Sequence, residues 1–482
     1  VRRAWSWVRV LLVLQLARLL VASLFELVPQ EAYYVFYARH PALSYFDHPG
    51  LLAWTLALPA ALASPPPVLV RLVPWLFAAI TLGGLVRLAR RLVPSDPGGA
   101  VLLLATTGAF SILSVIALPD APLVAAWTWA LGFLAEALLD DRRDAWLPAG
   151  LCTGLAFDAK YSAAFLLLGA GLLLLWLPRG RRALGTPWPW LGLGVAGIIA
   201  APVWIWNATH GWASLIFQTA GRVEHARGLS AWNLLGLVGS QLVLVLPPLV
   251  FAWGRAAVRA VRALFAGTLD DTDAFLAAFS LVPALVLLVV SLGAVVKPNW
   301  PFPVWIAGAL WASRRSGSWL LRWNVRASAL LHALVLVELF AYPVRLGDDT
   351  WVGWHSLREQ TRARLAPGEF AFSADDYKTT AELLLDSSIE AYGRNLLGQP
   401  ALQFDFVGQD PRALGGRTGL FLDSDPDRFE EGPSGPPPAA LLQRCGTVIE
   451  EPPLLVWRQE RIVRRFRAWR CVDFQPAPAA GR

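Results

Sequence analysis

The sequence predicts a polytopic α-helical membrane protein that carries a C-terminal extracytoplasmic α/β domain. Of its 482 residues 56% are hydrophobic and only 16% charged, where soluble domains carry about 25% charged residues. The mean hydropathy is +0.48, and the apolar residues arrive in blocks of about 20, the length that crosses a hydrocarbon core. Past residue 346 the blocks stop and the chain turns polar.

The apolar blocks fall at 8–28, 67–88, 98–116, 121–139, 145–158, 160–177, 190–206, 232–253, 274–296, 300–313 and 325–345, about eleven spans. The first is longer than the apolar core of a secretory signal, and its small-residue exit is too weak for one. A shorter block at 50–64 ends in Pro65-Pro66-Pro67, and positive charge decides how to count it. With Arg2 and Arg3 inside, a non-spanning 50–64 places Arg87/Arg90/Arg91, Arg142/Arg143, Arg179/Arg181/Arg182, Arg255/Arg259/Arg262 and Arg314/Arg315/Arg322 all on the cytoplasmic side. A spanning 50–64 would invert every one of them. The segment is therefore interfacial or re-entrant, and the arginines that give the formal charge of +7 set topology rather than bind nucleic acid.

This orientation puts the loop 29–66, the turns at Pro119-Asp120-Ala121-Pro122 and Asp158-Ala159-Lys160-Tyr161, the loop 207–231 and Lys297-Pro298-Asn299-Trp300 on the outer face. The odd number of spans places the domain 346–482 outside as well. Helical periodicity runs over 352–365 and 377–392, and apolar runs at 401–408, 418–423 and 454–474 read as strands. Gly432 to Pro438 is a loop. The outer compartment permits disulfides, and Cys445 and Cys471 are the two cysteines of this domain, so the sequence predicts that they pair.

Nearly every side chain of the membrane region able to do chemistry falls on the outer face. The first loop sets Glu31, Asp47 and His48 among Tyr33, Tyr34, Tyr37 and Tyr45, carboxylates beside an aromatic surface able to seat a lipid-linked substrate. An interfacial aromatic belt accounts for some of the tyrosines but not for the acids. Asp120 either caps its helix or takes part in chemistry. Lys160, Lys297 and Lys378 are the only lysines in a chain with 39 arginines. The first two end spans on the outer face, where an ammonium can neutralise a phosphate oxygen or simply snorkel. His210, Arg222, Glu224, His225 and Arg227 populate the loop 207–231. Arg18, inside the first span, is either functional or an interhelical hydrogen-bond donor. No nucleotide-binding motif is visible, so energy for outer-face chemistry must arrive stored in the substrate, as in a sugar on a polyprenyl phosphate.

Glu31-Ala32-Tyr33-Tyr34, Tyr45-Phe46-Asp47-His48-Pro49, Pro119-Asp120-Ala121-Pro122, Lys160-Tyr161, Trp206-Asn207 with His210-Gly211-Trp212, and Lys297-Pro298-Asn299-Trp300-Pro301 occur in this order. Together they resemble the bacterial branch of the protein O-mannosyltransferase-like family, which includes the aminoarabinose transferase of lipid A, within the GT-C superfamily of membrane glycosyltransferases. The resemblance covers about 1–345 and implies a GT-C-like inner-membrane enzyme. Such an enzyme moves a sugar from a polyprenyl-phosphate donor, with inversion, onto a hydroxyl of a glycan, lipid or protein acceptor. The family's first loop carries an Asp-Glu pair whose Asp is the favoured base; here the pair is Gln30-Glu31. The expectation is accordingly that Glu31 is the base, with Asp120 or Asp47 sharing the role. Lys160 and Lys297 then bind the donor phosphate, and Tyr33, Tyr34, His48, His210 and Arg222 contact substrate. No cofactor is assigned, although a divalent cation is compatible with the carboxylates. The competing reading is a transporter or lipid flippase, which needs facing charges near the midplane or inverted repeats; only Arg18 answers that description.

Overall fold

The computed structural model describes residues 2–219, 228–342, 344, 351–407 and 410–476, divided between two compact units. The first takes Val1–Leu20, Ala42–Leu52 and Arg71–Val337; the second takes Val21–Pro41, Ala53–Val70 and Glu338–Arg482. The second unit thus draws in two pieces of the loop 29–66 besides the polar C-terminal segment.

The first unit is helical, and its helices follow the apolar blocks. Pro67–Leu92, Asp120–Leu139, Asp271–Gly293 and Trp319–Ala341 are each long and apolar enough to cross a membrane, and three bent helix pairs raise the number to seven among the described residues. Other blocks are interrupted. The block at 98–116 breaks into Pro97–Ala105 and Gly108–Leu113 because Thr107 leaves the helix and caps the second piece, its Oγ1 accepting from Phe110 N–H at 3.1 Å. The ambiguous 50–64 block forms the short helix Leu51–Thr55 and, in the second unit, Ala57–Ala60. Arg18 is held by hydrogen bonds, its Nη1 donating to Gln15 Oε1 at 2.7 Å and its Nη2 to the Ala105 carbonyl. The arginines at the opposite ends of the spans from Asp120 are tied to carboxylates: Arg142 to Glu136 at 3.2 Å, Arg91 to Asp140 at 2.8 Å and Arg315 to Asp270 at 3.0 Å.

Small residues set one close helix crossing. Trp146–Ala159 packs against Trp188–Ile199 through Gly150 and Gly154, four residues apart on one face, the spacing that lets two backbones touch. A Cβ on Gly150 would collide with the Gly192 carbonyl, and one on Gly192 would lie 2.6 Å from the Trp146 carbonyl oxygen. Gly194, on the same partner helix, faces open space. Gly150→Ala is therefore expected to abolish the monodisperse folded species in detergent, whereas Gly194→Ala leaves it intact; size-exclusion profiles of the two variants check this. Equal profiles would mean the crossing does not depend on backbone contact.

The second unit centres on a five-stranded sheet in the order β2-β1-β3-β5-β4, from β1 (Phe370–Ser373), β2 (Ala391–Tyr392), β3 (Gly419–Ser424), β4 (Cys445–Arg458) and β5 (Arg461–Phe474). β1 is parallel to β2 and β3, while β5 runs antiparallel to β3 and β4. The apolar run at 454–474 turns out to be a hairpin broken at Gln459-Glu460, where both residues adopt positive φ. The strand expected at 401–408 is instead a 3-10 turn, Leu402–Asp405; Phe404 packs its ring against Tyr33 and Phe36 rather than pairing with a neighbouring strand. The periodicity at 377–392 resolves into a short helix, Lys378–Leu383, followed by β2. Cys445 and Cys471 are bonded, with Sγ atoms 2.06 Å apart, and join the strands β4 and β5.

Candidate active site

In the first unit, Asp120 is the opening residue of the Asp120–Leu139 helix, and Lys160 follows the last residue of Trp146–Ala159. These helices pack against each other, and each charge sits at the helix end whose dipole it complements. Lys160 Nζ lies 2.8 Å from Asp120 Oδ1 with both side chains buried. The other carboxylate oxygen, Oδ2, accepts from Asn299 Nδ2 at 2.7 Å. Asp120 therefore holds one sequence-predicted cation directly and grips the turn that bears the other, since Lys297 is two residues from Asn299. Gln241 fixes that turn from a further helix: its Nε2 donates to the Pro298 carbonyl at 3.1 Å and its Oε1 accepts from Trp305 Nε1 at 2.9 Å. Lys297 itself is exposed.

Tyr161, the next residue after Lys160, carries the arrangement onward. Its hydroxyl is 2.7 Å from Ser214 Oγ and accepts from Asn207 Nδ2 at 3.3 Å. Asn207 Oδ1 accepts from the Leu215 N–H at 3.1 Å, which folds the 207–218 segment back on itself. At the end of that segment Gln218 Nε2 donates to the Asp47 carbonyl oxygen at 2.6 Å, and Phe217 packs on Phe46 at 4.7 Å between ring centroids. The Tyr45-Phe46-Asp47-His48 turn is closed by pairing of Ser44 with Pro49. It leaves Asp47 and His48 half-buried, with Asp47 near enough to interact electrostatically with Tyr161. His210 is exposed and stacks on Trp206 at 4.2 Å between centroids.

Glu31, Tyr33 and Tyr34 belong to the second unit. Glu31 is the third residue of the Pro29–Arg39 helix, and its carboxylate caps the start of that helix. Its Oε2 accepts from the Val28 N–H at 3.0 Å. Tyr33 and Tyr34 are buried. Tyr33 packs its ring on Tyr377 at 4.8 Å, and its hydroxyl accepts from the Gln403 N–H at 3.0 Å. Packing therefore accounts for both tyrosines, which form no open aromatic surface. Nearby Glu382 is wholly buried and salt-bridged to Arg358 at 2.8 Å. Burial outweighs the pull of Arg358, and with repulsion from Glu26 and Glu31 it pushes the Glu382 carboxyl up to about 8.

Arg222, with Glu224, His225 and Arg227, lies outside the described residues. Among the described residues no group of three or more His, Cys, Asp or Glu side chains is arranged to hold a metal ion. Sequence reasoning passed over Asn207, Ser214, Gln218, Gln241, Asn299 and Glu382 as site residues. Gln241 left a signal, as an amide inside an otherwise apolar run, where an unpaired amide is costly, and Asn207 and Asn299 stand in the strings that carry the family resemblance.

Residues 47–206 match the family model described as dolichyl-phosphate-mannose-protein mannosyltransferase. The chain is 26% identical to the lipid A galacturonosyltransferase RgtD of Rhizobium johnstonii, over 81% of this chain and 85% of that protein. Its fold is similar to the crystal structure of ArnT from Cupriavidus metallidurans in the apo state, with a TM-score of 0.62 at 16% identity over 97% of this chain and 98% of that one. ArnT from the same organism bound to undecaprenyl phosphate superposes with the same score, over 96% and 97%.

Proposed function

We infer that this chain, an ArnT-like membrane glycosyltransferase of the GT-C superfamily, transfers a sugar from a polyprenyl-phosphate donor to an acceptor hydroxyl on the outer face of the inner membrane. The single observation that carries the site assignment is the continuous set of contacts from Asn299 through Asp120, Lys160 and Tyr161 to the 44–49 turn. It gathers polar groups from five separate stretches of an otherwise apolar chain at one end of the Asp120–Leu139 helix. The resemblance to solved undecaprenyl-phosphate-bound ArnT supports the donor class, and the likeness to RgtD makes galacturonic acid the first sugar to test and a lipid A-like glycolipid the first acceptor.

In the reaction the acceptor oxygen attacks the anomeric carbon as the bond from that carbon to the phosphate oxygen breaks. The hydroxyl proton passes to a carboxylate base, and the electron pair leaves with the lipid phosphate. Lys160, oriented by Asp120, offsets charge on the departing phosphate, and Lys297 approaches the same group from its turn. Both oxygens of Asp120 are engaged, so it positions rather than takes the proton. Glu31 is wholly buried and caps a helix in the other unit. Asp47, half-buried on a turn whose main chain Gln218 holds, is our assigned base, with His48 and His210 contacting sugar or acceptor. The eleven-span topology, a cytoplasmic N-terminus and an extracytoplasmic C-terminal domain belong to the same proposal.

The experiment is turnover of a panel of polyprenyl-phosphate sugars by the purified protein with glycolipid acceptors. Consumption of one donor, dependent on acceptor, is the expected result. A protein that moves sugar-lipids between leaflets of proteoliposomes without hydrolysing or transferring any of them would instead be a flippase.

A further inference from the structure

At the end of the Asp120–Leu139 helix remote from Asp120, about 24 Å along its axis, a groove of about 420 Å³ opens between this helix and Pro67–Leu92. Its lining includes Gly83, Gly132, Arg87, Arg90, Arg91 and Glu136. The two glycines make the slot: a Cβ on Gly83 would find its nearest neighbour, Trp129, at 3.8 Å, and one on Gly132 would meet Arg87 Nη1 at 3.6 Å. Gly84 differs, because its Cβ would press on Trp129 at 3.0 Å; that glycine serves helix packing, whereas Gly83 leaves space unfilled.

The rim is cationic. Glu136 is shared by Arg87 and Arg142, and Arg91 is taken by Asp140. Arg87 also lies over the Phe133 ring at 4.5 Å, and its Nη1 is buried without a hydrogen-bond partner. Arg90 is exposed and has no ion-pair or hydrogen-bond partner among the described residues. Arg87, Arg90 and Arg91 thus face two carboxylates, Glu136 and Asp140, the first of them shared with Arg142, at the head of a slot whose walls are helix faces of a spanning bundle. A phosphate at the rim with an acyl chain along the glycines satisfies both halves of this surface. A zwitterionic headgroup would bring its own cation against the arginines.

We propose that this groove is a binding site for an acidic phospholipid of the membrane leaflet opposite the transfer site, its phosphate on Arg90 and Arg91 and one acyl chain over Gly83 and Gly132. Basic clusters between helices at a membrane face are suited to such headgroups.

The test is native mass spectrometry of the purified full-length protein in detergent containing equimolar phosphatidylglycerol and phosphatidylcholine. The wild type is expected to retain phosphatidylglycerol preferentially. Arg90→Ala is expected to lower that retention about fivefold, and Gly83→Leu, which adds its side chain to open space, to remove it. Transferase turnover in both variants reports that the fold is intact. Equal retention of the two lipids by the wild type, or wild-type retention by both variants, overturns the proposal. Displacement of phosphatidylglycerol by polyprenyl phosphate at the same mole fraction would also overturn it, in favour of a second site for the donor lipid.

Discussion

Replacing Lys160 by alanine is expected to lower turnover at least ~100-fold, because it removes the cation placed to meet charge developing on the departing phosphate. The same change strands Asp120 as a buried, uncompensated carboxylate, and breaking a buried pair from one side typically costs about 3–5 kcal/mol. Loss of activity alone would therefore not separate chemistry from folding. The double variant Asp120→Asn/Lys160→Met does, since it removes both charges while keeping side chains of similar size. Replacing both partners of a buried pair by neutral groups is often tolerated, and the amide introduced by Asp120→Asn would still offer its carbonyl oxygen to Asn299. We expect the double variant to regain the thermal stability lost in Lys160→Ala and to remain at least ~100-fold slow. Near-wild-type turnover in a folded double variant would remove Lys160 from the chemistry and leave the ion pair a purely structural element.

Sequence and structure agree best where the physics is local. Apolar blocks gave the helices, Lys160 and Lys297 against a background of arginine marked two turns that Asp120 holds, and Cys445 and Cys471 are bonded as expected. What the sequence left open depends on partners distant in the chain. Asp120 looked equally like a helix cap, and only its bonds to Lys160 and Asn299, 40 and 179 residues away, make it an anchor. Tyr33 and Tyr34 sit in a segment that reads as a membrane-surface belt, yet they are buried, and Tyr33 meets Tyr377, Gln403 and Phe404 of the C-terminal segment. The strand expected at 401–408 failed for the same reason: an alternating apolar pattern fits a strand or a 3-10 turn docked on aromatic rings, and tertiary packing decided. The bent and broken helices, such as the pair separated at Thr106-Thr107, escape a reading based on block length because one hydroxyl cap is enough to end a helix.

Asp47→Asn is expected to lower kcat by about 10²–10⁴-fold, the usual worth of a general base, with little change in donor binding. The Tyr45–His48 turn should survive, because it is held by the Ser44–Pro49 pairing and by Gln218 on the Asp47 main chain rather than by the carboxylate. Glu31→Gln provides the contrast. Glutamine can also accept from the Val28 N–H at this position, so the helix should form and turnover should stay near that of the wild type. Its effect should appear instead in the pH dependence of stability. Glu382 ordinarily ionises near 4.5 but is pushed up to about 8 in the fold. Between those values the unfolded chain binds fewer protons than the folded one, so stability falls as pH rises. Glu31 contributes to that upward push, after burial and Glu26, so removing its charge should make the fall shallower in thermal unfolding measured from pH 5 to pH 8. The two variants therefore separate a carboxylate that takes a proton from acceptor from one that shapes the second unit. Lost turnover in Glu31→Gln with preserved turnover in Asp47→Asn would reverse the assignment and return the base to Glu31.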